Sequence, residues 1–152
     1  RFPNLDWQPS DIHADALSSI RAWRASARPP NLREPQVLDA SSADWPTQSA
    51  DAVLSINMVH ISPWESALGL IAGAARLLPP GGPLILYGPW LEADVPTAPS
   101  NLDFDSDLTH RNPDWGLRSV EEFEIAARES GLELDETRAM PANNLMLLLR
   151  RR

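Results

Sequence analysis

Short apolar runs alternate along the chain with three segments of helical periodicity, and this alternation constrains the fold more than any other sequence feature. The apolar runs cover residues 5–8, 36–38, 52–56 and 84–87, and turn-forming or polar residues follow each of them, which is typical of buried strands. The helical segments begin near residues 12, 62 and 119. Strands that alternate with helices require right-handed crossovers, so the sequence predicts an α/β fold with a mostly parallel sheet.

Local signals predict where the helices begin and end. Ser10 or Asp11 can cap the first helix, which must end before Pro29. The second and third helices each begin with a Ser that a Glu follows three residues later, the pattern of a capping box, at Ser62 and at Ser119. These signals predict three helices of ordinary length.

The last two apolar runs, residues 132–137 and 145–149, are joined by a link too short for a helical crossover. They must therefore run antiparallel, as a hairpin at one edge of the sheet. The stretch from residue 88 to 117 shows no such regularity and is interpreted as a candidate lid or substrate loop.

Composition limits the class of protein. With 152 residues, of which 43% are apolar and 22% charged, the chain predicts one globular domain over residues 1–152. A net charge of −8 disfavours nucleic-acid or anionic-lipid partners, and no apolar run is long enough for a membrane span, so we expect a cytoplasmic protein. The absence of Cys and the separation of the three His residues predict no metal site.

In an open parallel sheet, ligands bind beyond the carboxyl ends of the strands, so the residues after each strand are the candidates for a site. Asp11 follows the first strand and could accept hydrogen bonds from the hydroxyls of a ribose, or it could simply cap the helix. Asp39 follows the second strand and could accept a proton from a ribose hydroxyl or an adenine amino group, or form a turn.

The third strand is followed by Asn57, Met58, His60 and Trp64, which place polar groups and an aromatic side chain at the expected crevice. His60 is a candidate general base near neutral pH, or a structural histidine that is hydrogen-bonded to nearby backbone.

Aromatic residues follow the fourth strand, and amides lie in the terminal hairpin. Tyr87 and Trp90 flank a glycine and could form the walls of a substrate pocket, although such residues more often belong to the core or its rim. The hairpin must turn back on the ligand side, which would place Asn143 and Asn144 there together with Asn101 from the long loop.

These segments together resemble class I S-adenosylmethionine-dependent methyltransferases, and within them the little-characterised methyltransferase-like 26 proteins. The resemblance is carried by the link Leu-Leu-Pro-Pro-Gly-Gly at residues 77–82, the terminal hairpin, and residues 7–11, 56–64, 86–89, 99–101, 114–116 and 140–144. It extends over nearly the whole chain and implies a Rossmann-like methyltransferase sheet.

The resemblance also implies roles for individual residues. Asp11 would bind the ribose hydroxyls of S-adenosyl-L-methionine, Asp39 and Ala40 would meet the adenine, and the segment of Asn57, Met58 and His60 would approach the methionine part. His60 and Tyr87 are the catalytic candidates, and the pocket for a small-molecule methyl acceptor is assigned to five residues: Trp64, Trp90, Asn101, Asn143 and Asn144.

One part of the family pattern is missing. Such enzymes begin with a strand and a glycine-rich loop of the E-x-x-x-G-x-G type, which this chain lacks, and the sequence opens at Arg1 rather than Met. We therefore expect an N-terminally truncated domain whose parent is a methyltransferase.

Two alternatives follow from the same residues. One is an inactive methyltransferase-like binding or interaction module. The other is a nicotinamide-dependent oxidoreductase, which the antiparallel hairpin and the absence of Lys both disfavour.

Overall fold

The computed structural model describes residues 4–152, which form two compact units, one ending at Pro46 and the other comprising Thr47–Arg152. The first contains β1 (Ser10–Asp11), α1 (Ala14–Ala27) and β2 (Gln36–Val37). The second contains a short 3₁₀ helix (Val59–Ile61) and seven further elements: β3 (Val53–Ile56), α2 (Trp64–Leu77), β4 (Pro83–Gly88), α3 (Pro99–Arg111), α4 (Val120–Glu129), β5 (Leu132–Met140) and β6 (Asn144–Arg151).

In the first unit, β1 and β2 pair in parallel, with Asp11 opposite Val37. The strand predicted at residues 5–8 is displaced, because Trp7 forms only an isolated parallel bridge to Leu32 and the strand itself lies at Ser10–Asp11. Pro9 lies between the two points of pairing, and because proline has no backbone N–H it interrupts the ladder there.

The second unit is built on a four-stranded sheet of order β3-β4-β6-β5. β3 and β4 are parallel, whereas β6 runs antiparallel to both of its neighbours. β3, β4 and β5 therefore point the same way and only β6 is reversed. This confirms the predicted α/β fold with an antiparallel terminal hairpin.

One face of this sheet carries the core of the unit. Leu84 and Leu86 in β4 are fully buried, and the next residues along the strand are only half-buried. α2 and α4 pack against each other, and α4 also packs against β5. Their buried side chains include Ala67, Ile71 and Ala74 in α2 and Phe123 and Ala127 in α4.

The opposite face of the sheet remains partly exposed. Strand alternation and register assign to it Leu54, Ile56, Ile85, Tyr87, Met146 and Leu148, which we call the open face. Leu54 and Ile56 are 44% and 57% exposed.

Only one of the predicted capping residues described next makes the hydrogen bond of a helix cap. Ser119 caps α4 as expected, because its hydroxyl oxygen accepts a hydrogen bond from the Glu122 amide at 3.2 Å. Ser62 does not cap α2, since its hydroxyl donates backward to the Met58 carbonyl at 3.0 Å. Asp11 does not cap α1 either: it accepts from the amide of His13, just before the helix.

The stretch predicted to be irregular contains α3. This helix is mostly polar, and only Asn101 and Leu108 on it are buried, so it has little of the apolar periodicity that identifies a helix in a sequence. Within residues 4–152, no helix combines the length and apolar character needed to cross a membrane.

Candidate functional site

Two carboxylates lie at the carboxyl ends of the paired strands of the first unit. Asp11 is the last residue of β1 and Asp39 follows β2 by two residues, and the amide of Leu38 donates to the Asp11 carbonyl at 3.1 Å. Asp11 uses Oδ1 to accept from His13, and Asp39 uses Oδ1 to accept from Ser41. In both, Oδ2 accepts no hydrogen bond from any described residue and is available to a ligand.

The contacts of Asp39 are compatible with both interpretations of its sequence position, a turn residue and a carboxylate that binds a ligand. Its Oδ1 lies 2.7 Å from the Ser41 hydroxyl and 2.9 Å from the Ser41 amide, so it forms a turn. These hydrogen bonds hold the pKa of Asp39 below its usual value, because they favour the charged carboxylate. Ala40 follows it and is half-buried.

The segment after β3 has an unusual backbone. Asn57 has φ +54°, in the left-handed region that asparagine tolerates better than most residues. Its amide donates to the Tyr87 carbonyl at 2.8 Å, which ties the end of β3 to β4. Met58 follows, half-buried, with its sulfur 3.2 Å from the Ser62 hydroxyl.

His60 packs closely against Gly88. It lies in the 3₁₀ helix and is only 5% exposed. A Cβ built on Gly88 would lie 3.1 Å from Cε1 and 3.3 Å from Nδ1 of the ring, and 3.4 Å from Oδ1 of Asn57. The three residues therefore form a cluster at the carboxyl ends of β3 and β4.

Burial and, to a smaller extent, the nearby positive charge of Arg118 lower the pKa of His60 to about 4. The imidazole is therefore neutral throughout the physiological range. A group with so low a pKa is a weak base near neutral pH, because desolvation penalises its protonated form.

α3 and the loop after it cover His60. Phe104 on α3 meets the imidazole edge to face, with ring centroids 5.7 Å apart. The Gly116 amide donates to the His60 carbonyl at 3.0 Å, and Asp105 accepts from the neighbouring Leu117 amide at 2.6 Å. The predicted lid region is thus an anchored helix and loop.

The structure does not bring Tyr87 and His60 together. Successive side chains on a strand point to opposite faces, and the His60 ring lies where a side chain at Gly88 would project. Tyr87 therefore lies on the other side of β4, on the open face.

Four of the five predicted pocket residues line one cavity of about 220 Å³, namely Trp90, Asn101, Asn143 and Asn144. The fifth, Trp64, is not among its lining residues and instead packs edge to face on Phe123. Trp90 contacts another edge of the same Phe123, with centroids 5.2 Å apart.

Other residues of these regions carried no local sequence signal. Glu92 lines the cavity from the segment after β4, and Phe104 and Arg118 reach His60 and Trp64 from later parts of the chain. None of the three stands in a motif or at the end of a predicted strand, and only tertiary packing identifies them. Among residues 4–152, no cluster of three metal-ligating side chains is present.

Comparison with known structures identifies the fold. The chain is similar to an O-methyltransferase family protein from Burkholderia thailandensis (20% identity, TM-score 0.81; 98% of this chain and 44% of that one). It is also similar to PigF with SAH, at 16% identity and a TM-score of 0.79 over 99% of this chain and 44% of that one. A third similar structure is the mitomycin 7-O-methyltransferase MmcR, at 17% identity and a TM-score of 0.78 over 92% of this chain and 40% of that one.

The chain spans less than half the length of these three proteins, and at such identities the likeness shows the fold alone. At the level of sequence, residues 1–151 match the family described as "Protein of unknown function (DUF938)". The chain therefore belongs to the DUF938 family, and it has the Rossmann-like fold of class I methyltransferases.

Proposed function

We propose that this chain is related to the methyltransferase-like 26 proteins and forms one methyltransferase-like domain that binds S-adenosyl-L-methionine and takes part in methyl transfer to a small molecule. The observation that carries the proposal is the cluster of Asn57, His60 and Gly88 at the carboxyl ends of β3 and β4, within a methyltransferase fold.

The acidic residues of the first unit suit the adenosine part of this cofactor. Ribose hydroxyls and the adenine amino group are hydrogen-bond donors, and Asp11 and Asp39 each keep one carboxylate oxygen available to such donors. The low pKa of Asp39 keeps its carboxylate ionised, which strengthens such bonds. Ala40 would lie beside the adenine.

The segment from Asn57 through Met58 to His60 would meet the methionine part. When bound, the cofactor supplies an electrophilic methyl group. Because His60 is neutral and buried, its expected role is to hold this segment against Gly88 and to exclude water. Positioning of this kind contributes much of the rate of direct displacement reactions.

The cavity beside Trp90 is our candidate pocket for the methyl acceptor. Its volume of about 220 Å³ is smaller than that of pockets for drug-sized ligands, which run to about 300–1,000 Å³. Among residues 4–152, no Arg, Lys or His lines it. A small, uncharged or positively charged acceptor fits these walls better than a nucleic acid or another polyanion.

The proposal is tested by titration calorimetry with S-adenosylhomocysteine, the product left after methyl donation. The 152-residue chain and the full translation product of its gene would be titrated in parallel. Asp11→Asn should weaken binding about 10-fold or more, because an amide is a poorer acceptor for ribose hydroxyls. Asp51→Asn, at an exposed position, serves as the matched control.

Binding by either form, weakened by Asp11→Asn but not by Asp51→Asn, supports the cofactor assignment. Absence of binding in both forms would overturn it. It would favour the second candidate function, an interaction module with a methyltransferase fold, which the lack of any G-x-G sequence in the chain already favours.

A further inference from the structure

The cavity beside Trp90 presents hydrogen-bond acceptors, because its asparagines use their amide nitrogens elsewhere. Nδ2 of Asn101 donates to the backbone carbonyl of Asn143 at 3.0 Å, and Nδ2 of Asn144 donates to that of Pro141 at 3.1 Å. A backbone carbonyl only accepts, so these contacts fix which end of each amide is the nitrogen. Nδ2 of Asn143 likewise faces the Ser100 hydroxyl, at 3.2 Å. The amide oxygens of Asn101, Asn143 and Asn144 accept no hydrogen bond from the described residues and are available to a ligand, although Asn101 and Asn143 each also keep a second amide N–H.

The charge of the lining residues also favours a ligand that donates hydrogen bonds. Glu92 is a half-buried lining residue, and none of the ion pairs among residues 4–152 involves it. Since no basic side chain lines the cavity, its polar surface suits groups that donate hydrogen bonds or carry positive charge.

Trp90 provides an aromatic wall of the cavity. It lines the cavity and is 6% exposed. Its indole ring provides an aromatic surface of the kind that attracts cations.

We infer that this cavity binds a small cationic amine whose apolar body lies against Trp90 and whose ammonium group is held by Glu92 and the amide oxygens of Asn101, Asn143 and Asn144. The inference rests on the proposed function only where it identifies this amine as the methyl acceptor.

The experiment uses three probes with the same phenyl body: phenethylamine, 2-phenylethanol and phenylacetate. Binding to the 152-residue chain is followed by NMR through the indole ¹H–¹⁵N resonance of Trp90, assigned by its loss in Trp90→Phe. Phenethylamine should bind at least 10-fold more tightly than phenylacetate, with 2-phenylethanol between them.

Single-residue variants test the contributions of Glu92 and Trp90 to binding separately. Glu92→Gln should remove most of the preference for the amine over the alcohol, whereas Glu129→Gln, an exposed residue on α4, should leave it unchanged. Trp90→Phe, followed through backbone resonances, should weaken the binding of phenethylamine more than that of 2-phenylethanol, because the smaller ring attracts a cation less strongly. Equal binding of amine and carboxylate, or no shift with any probe, would overturn the inference.

The result of the amine-binding experiment does not depend on whether the chain binds the cofactor. Amine selectivity without binding of S-adenosylhomocysteine would support this pocket assignment while the methyltransferase proposal fails. Binding of S-adenosylhomocysteine without amine selectivity would support the cofactor assignment while this pocket assignment fails.

Discussion

At His60, a side chain that ordinarily titrates near neutral pH is kept neutral by its surroundings. The ring is buried beneath Phe104, and the charge of Arg118 lies nearby. The sequence identified the position but not the protonation state, because burial and the approach of a residue 58 positions later are tertiary properties.

This lowered pKa predicts a specific loss of stability in acid. In the unfolded chain a histidine gains a proton below about pH 6.5, whereas folded His60 stays neutral until about pH 4. The unfolded state therefore binds more protons in this window, and the free energy of unfolding falls as the pH drops through it, by up to about 3 kcal/mol from this group.

Urea unfolding at pH 7, 5.5 and 4 measures the effect. His60→Asn should lose less stability than the wild type over this range, while His110→Asn, at an exposed position, should follow the wild type. An identical pH dependence for wild type and His60→Asn would contradict the burial of His60 in its neutral form.

The close approach at Gly88 predicts that even one methyl group is costly there. In Gly88→Ala the new Cβ would lie 3.1 Å from Cε1 of His60 at a buried position, so we expect a loss of about 1–3 kcal/mol of stability. A double-mutant cycle with His60→Ala checks the cause. The cost of Gly88→Ala should fall by at least about 0.5 kcal/mol once the ring is absent, and strict additivity would exclude this contact as its source.

Among the elements, two identical capping patterns make different contacts. Ser119→Ala should cost about 1 kcal/mol, because the Glu122 amide loses its acceptor at the start of α4. Ser62→Ala removes a hydroxyl that donates to a carbonyl before α2 and caps nothing, so the loss should be smaller. Thermal unfolding of both variants makes the comparison, and a larger loss in Ser62→Ala would show that the pattern, not the observed contact, determines the cap.

The elements also show how far sequence reasoning extends. Periodicity and turn residues predicted α1, α2, α4 and the five strands β2 to β6, most of which bury apolar residues, whereas the first strand lies at Ser10–Asp11 and not at the predicted residues 5–8. α3 was missed since its sequence is nearly all polar and its position depends on Asn101 and Asp105, whose partners lie in other elements. Strand topology alone placed Asn143 and Asn144 near Asn101, and the lining of the cavity agrees with that placement. The sequence did not place Glu92 beside these residues, because its position depends on the path of the loop after β4.

At the scale of the whole molecule, the second unit carries a core of its own. Ile71, Leu86, Phe123 and Leu147 are fully buried, and all belong to Thr47–Arg152, a length typical of autonomous domains. A fragment of residues 47–152 should therefore fold and unfold cooperatively in urea when followed by circular dichroism. Phe123→Ala in the fragment should lower its stability by about 3–5 kcal/mol. A broad transition that this variant leaves unchanged would show that the core is not formed in isolation.

The hydrogen bond between Asn101 and the Asn143 carbonyl joins segments that are 42 residues apart. One wall of the cavity comes from residues 95–101 and the facing wall from the turn between β5 and β6, so the cavity is complete only when the last strand has been added to the sheet. Contacts of such long range require a long loop to close before they can form, which slows folding. A newly made chain would thus lack the pocket until β5 and β6 have paired, and a ligand of that pocket would distinguish folded molecules from those in which the hairpin has not yet formed.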